Sequence, residues 1–194
     1  MPDVKALCVY CGSSNAVDPA YLEAARETGR QAAARGIEIV FGGGHVGMMG
    51  ALADGALGAG GRVTGIIPEI LRDRELAHAG ASEMIVVDSM HTRKRKMFER
   101  SDAFCALPGG MGTLDETFEI ITWKQIGLHD KPVIIANLNG YWDPLLALLA
   151  RQAEAGFIRP QHTGLFRTVA RIESIFEALE AAPPARIPAD SKHL

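Results

Sequence analysis

Three apolar runs in this chain, Val4 to Tyr10, Ile37 to Phe41 and Ala103 to Leu107, each end in a turn of glycine or serine and lead straight into a helical pattern. Few folds accommodate that repeated unit. Further strand-like runs at Val63 to Ile67, Met84 to Val87 and Val133 to Asn137 alternate with helical patterns. The helical patterns cover Pro19 to Arg35, Gly47 to Ala59, Met90 to Ser101, Thr113 to Gly127, Pro144 to Ala155 and Ile172 to Glu180. The alternation predicts an α/β fold, Rossmann-like and doubly wound, with helices on both faces of the sheet. Ala103 to Leu107 and Val133 to Ala136 are almost uniformly apolar, as strands covered on both faces must be, so a mostly parallel sheet is expected. In such a sheet every strand-to-helix turn lies on the carboxyl edge, where ligands collect at the topological switch point.

The 194 residues are long enough to bury one full core without disulfides or a metal. Pro183-Pro184 and the polar residues after Arg186 mark the end of it, giving a single nucleotide-binding domain over 1–182 and a C-terminal tail over 183–194. A net charge of -3 offers no general attraction for nucleic acid or an anionic membrane surface. Met1-Pro2-Asp3-Val4-Lys5 lacks the layout of a signal peptide, and no apolar run approaches a membrane span, so a cytoplasmic protein is expected. Cys8 and Cys11 form C-x-x-C, but their odd separation along a strand puts them on opposite faces, which reads as core packing. The six histidines show no zinc-type spacing, and no metal is expected.

The richest stretch is Pro108 to Glu116, P-G-G-M-G-T-L-D-E, between a strand pattern and a helix. Gly109, Gly110 and Gly112 let backbone N–H groups crowd an anion, and the following helix aims the positive end of its dipole at the same place. Thr113 is positioned to cap that helix. Glu116 then falls three residues later, so Thr113 and Glu116 also fit a capping box, in which the carboxylate satisfies only a backbone donor. A second loop, Phe41 to Gly50, holds G-x-G-x-x-G at Gly42, Gly44 and Gly47, with Gly43 between. A third, Cys11-Gly12-Ser13-Ser14-Asn15, offers hydroxyls and amides, with Ser13 a candidate phosphate contact beside Gly43 and Gly44.

Between these loops runs a basic helix. Met90, Arg93, Lys94, Met97 and Phe98 fall on one face, while Arg95, Lys96, Glu99 and Arg100 point elsewhere and read as a solvated surface. Cations in a first turn oppose the helix dipole, so Arg93 and Lys94 are expected to meet compensating negative charge, and an Arg fork suits a phosphate.

Met90-His91-Thr92-Arg93-Lys94 followed by Pro108-Gly109-Gly110-Met111-Gly112-Thr113-Leu114-Asp115-Glu116 resembles the Lonely Guy family of cytokinin riboside 5'-monophosphate phosphoribohydrolases. The resemblance takes in Cys11-Gly12-Ser13-Ser14, the loop at Gly42 to Gly50, Arg74-Glu75-Leu76 and Thr122-Trp123, nearly everything before the tail. It implies hydrolysis of the N-glycosidic bond of a nucleoside 5'-monophosphate, releasing the base and ribose 5-phosphate, with AMP or a prenylated adenosine monophosphate as substrate. It implies Arg93 and Glu116 as the catalytic pair. Glu75, Arg93, Lys94, Gly110, Met111, Gly112, Thr113, Leu114, Asp115, Glu116 and Thr122 hold the substrate, with Met111 placed to touch the base. It implies a homodimer and no cofactor. Some members have been labelled lysine decarboxylases, but pyridoxal phosphate chemistry needs a Schiff-base lysine and an acidic partner for the ring nitrogen, and the sequence marks no such pair.

Two other readings compete. A Rossmann-like domain can bind a nucleotide without turning it over. Gly42-x-Gly44-x-x-Gly47 with Glu69 downstream has the spacing of a nicotinamide-dependent oxidoreductase, although Glu69 follows Pro68 just past its strand and leaves Arg93 and the Pro108 loop without a role.

Overall fold

The structure is a computed structural model that describes residues 4–75, 77–159, 162 and 164–183, with residues 73–75 described by their backbone alone. The strands are β1 (Ala6–Tyr10), β2 (Glu38–Phe41), β3 (Val63–Pro68), β4 (Glu83–Val87), β5 (Ala103–Ala106), β6 (Val133–Ala136) and β7 (Arg167–Val169). The helices are α1 (Pro19–Ala34), α2 (Gly47–Gly58), α3 (Glu69–Glu75), α4 (Met90–Glu99), α5 (Met111–Gln125), α6 (Asp143–Glu154) and α7 (Ile172–Glu180). Among the described residues the strands make one sheet in the order β4-β3-β2-β1-β5-β6-β7, and every pairing is parallel. The order runs outward from β1 to β4, then restarts at β5 on the other side of β1. The switch point therefore lies between β1 and β5.

Alternation along β1 divides the core between the two faces. Leu7, Val9 and Cys11 join α1, α2 and α7 on one side, while Ala6, Cys8 and Tyr10 join α4, α5 and Trp142 on the other. The two cysteines of C-x-x-C thus belong to different layers, as the spacing predicts. Burial pushes the Cys8, Cys11 and Cys105 thiols well up, Cys105 to about 12, so none supplies a thiolate nucleophile. Phe41, Phe98, Phe104 and Phe176 are fully buried, each contributing about 2 to 3 kcal/mol. Helices α1 and α2 meet backbone to backbone: a methyl group on Gly29 would strike the Leu52 carbonyl, and one on Gly55 the Arg26 carbonyl.

Three elements depart from the sequence reading. The chain begins α5 at Met111, with Gly110 as N-cap and no side-chain cap, so Thr113 lies inside the first turn. The short helix α3 starts at Glu69 directly after β3, and the three-residue strand β7 extends the sheet beyond β6. The tail over 184–194 lies outside the described residues.

Candidate active site

The carboxyl edge of the sheet carries the three loops, and they touch one another. Gly12 N–H donates to the Pro108 carbonyl (3.0 Å), tying the β1 loop to the β5 loop across the switch point. Met48 N–H donates to the Gly12 carbonyl (3.0 Å) and Gly47 N–H to Asn15 Oδ1 (2.8 Å), so the N-terminus of α2 is closed by the first loop. The Gly47 and Met48 amides of the second loop are thus occupied within the chain. Gly43 and Gly44 are buried, the Gly43 carbonyl accepts from His78 N–H (2.8 Å), and Gly44 bridges to Ala77. Ser13 is exposed at the rim. Glu69 is the exposed first residue of α3, directly after β3, the strand that pairs with β2.

The loop at 108–113 is different. The first intrahelical bond of α5 runs from Leu114 N–H to the Gly110 carbonyl (3.1 Å), so the amides of Met111, Gly112 and Thr113 precede the ladder. Gly110, Met111 and Gly112 are exposed, and no side chain caps this end. Thr113 is buried beneath it, and its carbonyl accepts from Thr117 Oγ1 (2.6 Å). Because α5 starts at Met111, Glu116 sits six residues from the N-cap and the capping-box role is geometrically excluded.

Glu116 instead turns toward Arg93, with Oε1 3.8 Å from Nη1 and side-chain exposures of 11% and 7%. Arg93 is held from behind. Its Nε donates to the Ile66 carbonyl on β3 (3.0 Å), its Nη2 to the Gly42 carbonyl after β2 (3.0 Å), and its Nη1 approaches Met90 Sδ (3.7 Å). Gly42 is required here, since a methyl group at that position would fall on Nη2. The guanidinium is thus held by the Ile66 and Gly42 carbonyls and faces the Glu116 carboxylate. Lys94, one residue on, reaches Asp115 Oδ2 (3.2 Å) and Glu119 Oε1 (3.0 Å) of α5. Burial opposes its charge, but the hydrogen bonds to Glu119 and Asp115 prevail and hold its pKa above the ordinary value. Both cations of the first turn have the compensating charge that the dipole argument requires. Lys96 is half-exposed and Arg95 exposed, as the face assignment has it.

Other sequence candidates scatter. Met111 is 84% exposed, and Leu114 packs inward against the core shared by Phe98 and Phe104. Thr122 is exposed and lies 240° around α5 from Glu116 at 100° per residue, on the face of Asp115. Glu75 ends α3, and its side chain lies outside the described residues, as do those of Arg74 and Leu76. Sequence reasoning missed Glu119 and Tyr141, whose hydroxyl donates to the Gly109 carbonyl (2.7 Å). The Asn139-Gly140 dipeptide, a turn signal at a strand's carboxyl end, marks the loop that carries Tyr141.

Among the described residues, no group of three or more His, Cys, Asp or Glu is placed to hold a metal ion, and no helix is long and apolar enough to cross a membrane. A Schiff-base lysine needs a depressed pKa. Lys94 is shifted the other way. Lys124 and Lys131, whose pKa values burial lowers, lie at the opposite edge of the sheet, where Lys131 Nζ donates to the Phe98 carbonyl at the end of α4. These three lysines do not fit pyridoxal phosphate.

A family described as "Possible lysine decarboxylase" matches residues 49–179. A cytokinin riboside 5'-monophosphate phosphoribohydrolase of Arabidopsis thaliana is 41% identical over 180 residues, covering 93% of this chain and 79% of that protein. Two probable cytokinin riboside 5'-monophosphate phosphoribohydrolases of Oryza sativa subsp. japonica are 43% identical over 178 residues and 48% over 153. These alignments cover 92% and 79% of this chain, and 73% and 69% of the relatives. Among solved structures, the molybdenum cofactor carrier protein of Chlamydomonas reinhardtii superposes with a TM-score of 0.69 at 21% identity, over 90% of this chain and 95% of that one. The molybdenum cofactor binding protein of Rippkaea orientalis does so with 0.69 at 23%, over 91% and 95%. At that identity the likeness concerns the fold alone.

Proposed function

The chain belongs to the Lonely Guy family of cytokinin riboside 5'-monophosphate phosphoribohydrolases, and we infer from that premise that it hydrolyses the N-glycosidic bond of such nucleotides to free base and ribose 5-phosphate. The observation that carries the reading is the Arg93–Glu116 pair beside the uncapped N-terminus of α5, at the switch point of the sheet. The phosphate of the substrate sits on the amides that open α5, where unpaired N–H groups and the helix dipole both favour an anion. Glu116 lies five residues further along the helix, about 7.5 Å at 1.5 Å per residue, so a ribose anchored by its 5'-phosphate extends toward it.

Cleavage breaks the bond from the ribose carbon to the base nitrogen. The bonding electrons leave with the base, and positive charge builds on the sugar in an oxocarbenium-like transition state. The Glu116 carboxylate opposes that charge and takes the proton of the attacking water, which supplies hydroxyl to the sugar and, through solvent, hydrogen to the base. Arg93 orients Glu116, because the guanidinium is itself held by the Ile66 and Gly42 carbonyls. Lys94, paired with Asp115 and Glu119, ties the first turn of α4 to α5.

The functional unit is a homodimer. Met111, Phe118 and Ile126 leave 84%, 36% and 63% of their surface exposed along the face of α5 that also holds Thr122, and α6 buries no residue within the chain. A second copy on this face brings Thr122 and Met111 into a neighbouring site. Sedimentation equilibrium reads the assembly directly, and a fully active monomer removes it.

Incubating the protein with AMP and with isopentenyladenosine monophosphate tests the activity. Adenine and the prenylated base should be released, with the corresponding nucleosides cleaved far more slowly because nothing then occupies the α5 seat. Intact nucleotides after prolonged incubation mean a binding module. Equal cleavage of nucleoside and monophosphate means that the phosphate seat is misassigned.

A further inference from the structure

The loop after β6 is bent by unusual backbone. Asn139 has φ of 53°, the only positive φ outside glycine among the described residues, and Gly140 follows with φ of 71°. The left-handed conformation of Asn139 costs free energy that its surroundings must offset, whereas Gly140 adopts it freely. Here the enforcement is visible. Asn137 grips the loop from both ends, its Nδ2 donating to Asp143 Oδ1 (2.7 Å) and its Oδ1 accepting from Trp142 N–H (2.7 Å). The next residue after the bend is Tyr141, which neither the catalytic pair nor the resemblance uses. Its ring lies edge-on to Tyr21 (5.6 Å) and Trp142 (4.8 Å), and its hydroxyl donates to the Gly109 carbonyl at 2.7 Å.

We propose that Tyr141 is a positioning residue for the phosphate seat: by holding the Gly109 carbonyl it fixes the peptide plane between Gly109 and Gly110 and so the direction of the amides that open α5. A trans peptide points its C=O and N–H to opposite sides, so a carbonyl held from one side presents the Gly110 N–H on the other. Gly110 and Gly112 are exposed, and a methyl group at either would touch nothing, so side chains at these positions do not set the loop's orientation. The restraint comes from Tyr141, some thirty residues away in sequence, together with the Gly12 bond to Pro108 on the other flank. The proposal rests on the reading of the α5 N-terminus as the phosphate seat.

Tyr141→Phe removes the hydroxyl and keeps both aromatic contacts. One neutral hydrogen bond corresponds to a factor of roughly two to ten in an equilibrium constant. Calorimetric titration with AMP and with adenosine should therefore show AMP binding weakened by that factor and adenosine binding unchanged. In steady-state assays KM for AMP should rise more than kcat falls. Gly140→Ala, whose methyl group would press on Asp143 Oδ2 and push the turn out of its left-handed conformation, should reproduce the selective loss by an independent route. Wild-type protein that binds AMP no better than adenosine refutes the phosphate seat itself. Wild-type protein that prefers AMP, with the preference intact in Tyr141→Phe, or lost equally for both ligands, refutes the role of Tyr141 alone.

Discussion

Replacing Glu116 by glutamine separates charge from shape at the centre of the site. The carboxylate lies 3.8 Å from Arg93 Nη1, with only 11% and 7% of the two side chains exposed. At an effective dielectric near 20, that separation corresponds to a gross attraction of about 4 kcal/mol. Glutamine keeps an amide oxygen facing the guanidinium, and Arg93 keeps the carbonyls of Ile66 and Gly42, so the net loss of stability should be roughly 1 to 3 kcal/mol. For a chain of this length each kcal/mol lowers Tm by about 2 to 4 °C, giving a fall of roughly 2 to 12 °C. A capping-box glutamate would have left Tm almost unchanged. Turnover should fall at least about a hundredfold, the low end for removing a positioned acid-base group. Chromatographic assay of adenine released from AMP, beside thermal unfolding followed by circular dichroism, reads both quantities on one preparation. Near wild-type turnover refutes the placement of Glu116 at the reacting carbon. Lost turnover with unchanged Tm refutes the energetic coupling to Arg93.

Gly42→Ala should displace Arg93 without changing the chemistry of Arg93 or Glu116, since the new methyl group lands on the end of the guanidinium. AMP cleavage should fall at least about tenfold, with a stability loss of only about 1 to 2 kcal/mol in urea unfolding, and an unaffected rate would refute the requirement for that guanidinium position. His129 gives a pH dependence. Burial, aided by Lys124 and Lys131, lowers its pKa to about 4, below the unfolded value of 6.5, while its Nδ1 accepts from Lys131 N–H. The folded state therefore binds fewer protons there, and the stability this contributes is complete above pH 6.5 and drains away as pH falls toward 4. Of roughly 3 kcal/mol in total, about 2 should be gone at pH 5. His129→Gln should flatten that part of a urea-unfolding profile, and an unchanged slope would sink the assignment.

What the sequence made legible was whatever a short apolar run declares by itself. Strands β1, β2, β3, β5 and β6 lie deep in the sheet, so their residues are apolar on both faces and the runs stand out. Strand β7 does not, because Arg167 and Thr168 are exposed at the sheet edge and only pairing with β6 makes them a strand. Helix α3 is hidden for a related reason, its first residue following β3 with no turn between. The start of α5 was misplaced because threonine is a good cap and glycine a poor helix former, yet here Gly110 caps and Gly112 is helical. At the candidate site, motifs single out Arg93 and Glu116, but not what holds Arg93. The carbonyls of Ile66 and Gly42 come together only through the lateral order of β2 and β3, which no local pattern encodes.

The proposed anion seat and Glu116 share one helix, and this makes the spacing between them discrete. Substitutions on loops or in the core can tilt α5 as a body, but they leave its internal rise and twist alone. An inserted residue in the first turn would shift the interval by one step and swing Glu116 by 100° away from Arg93, with no intermediate setting. On that reading, fitting a shorter or longer phosphoester takes a whole helical step rather than a small adjustment of reach.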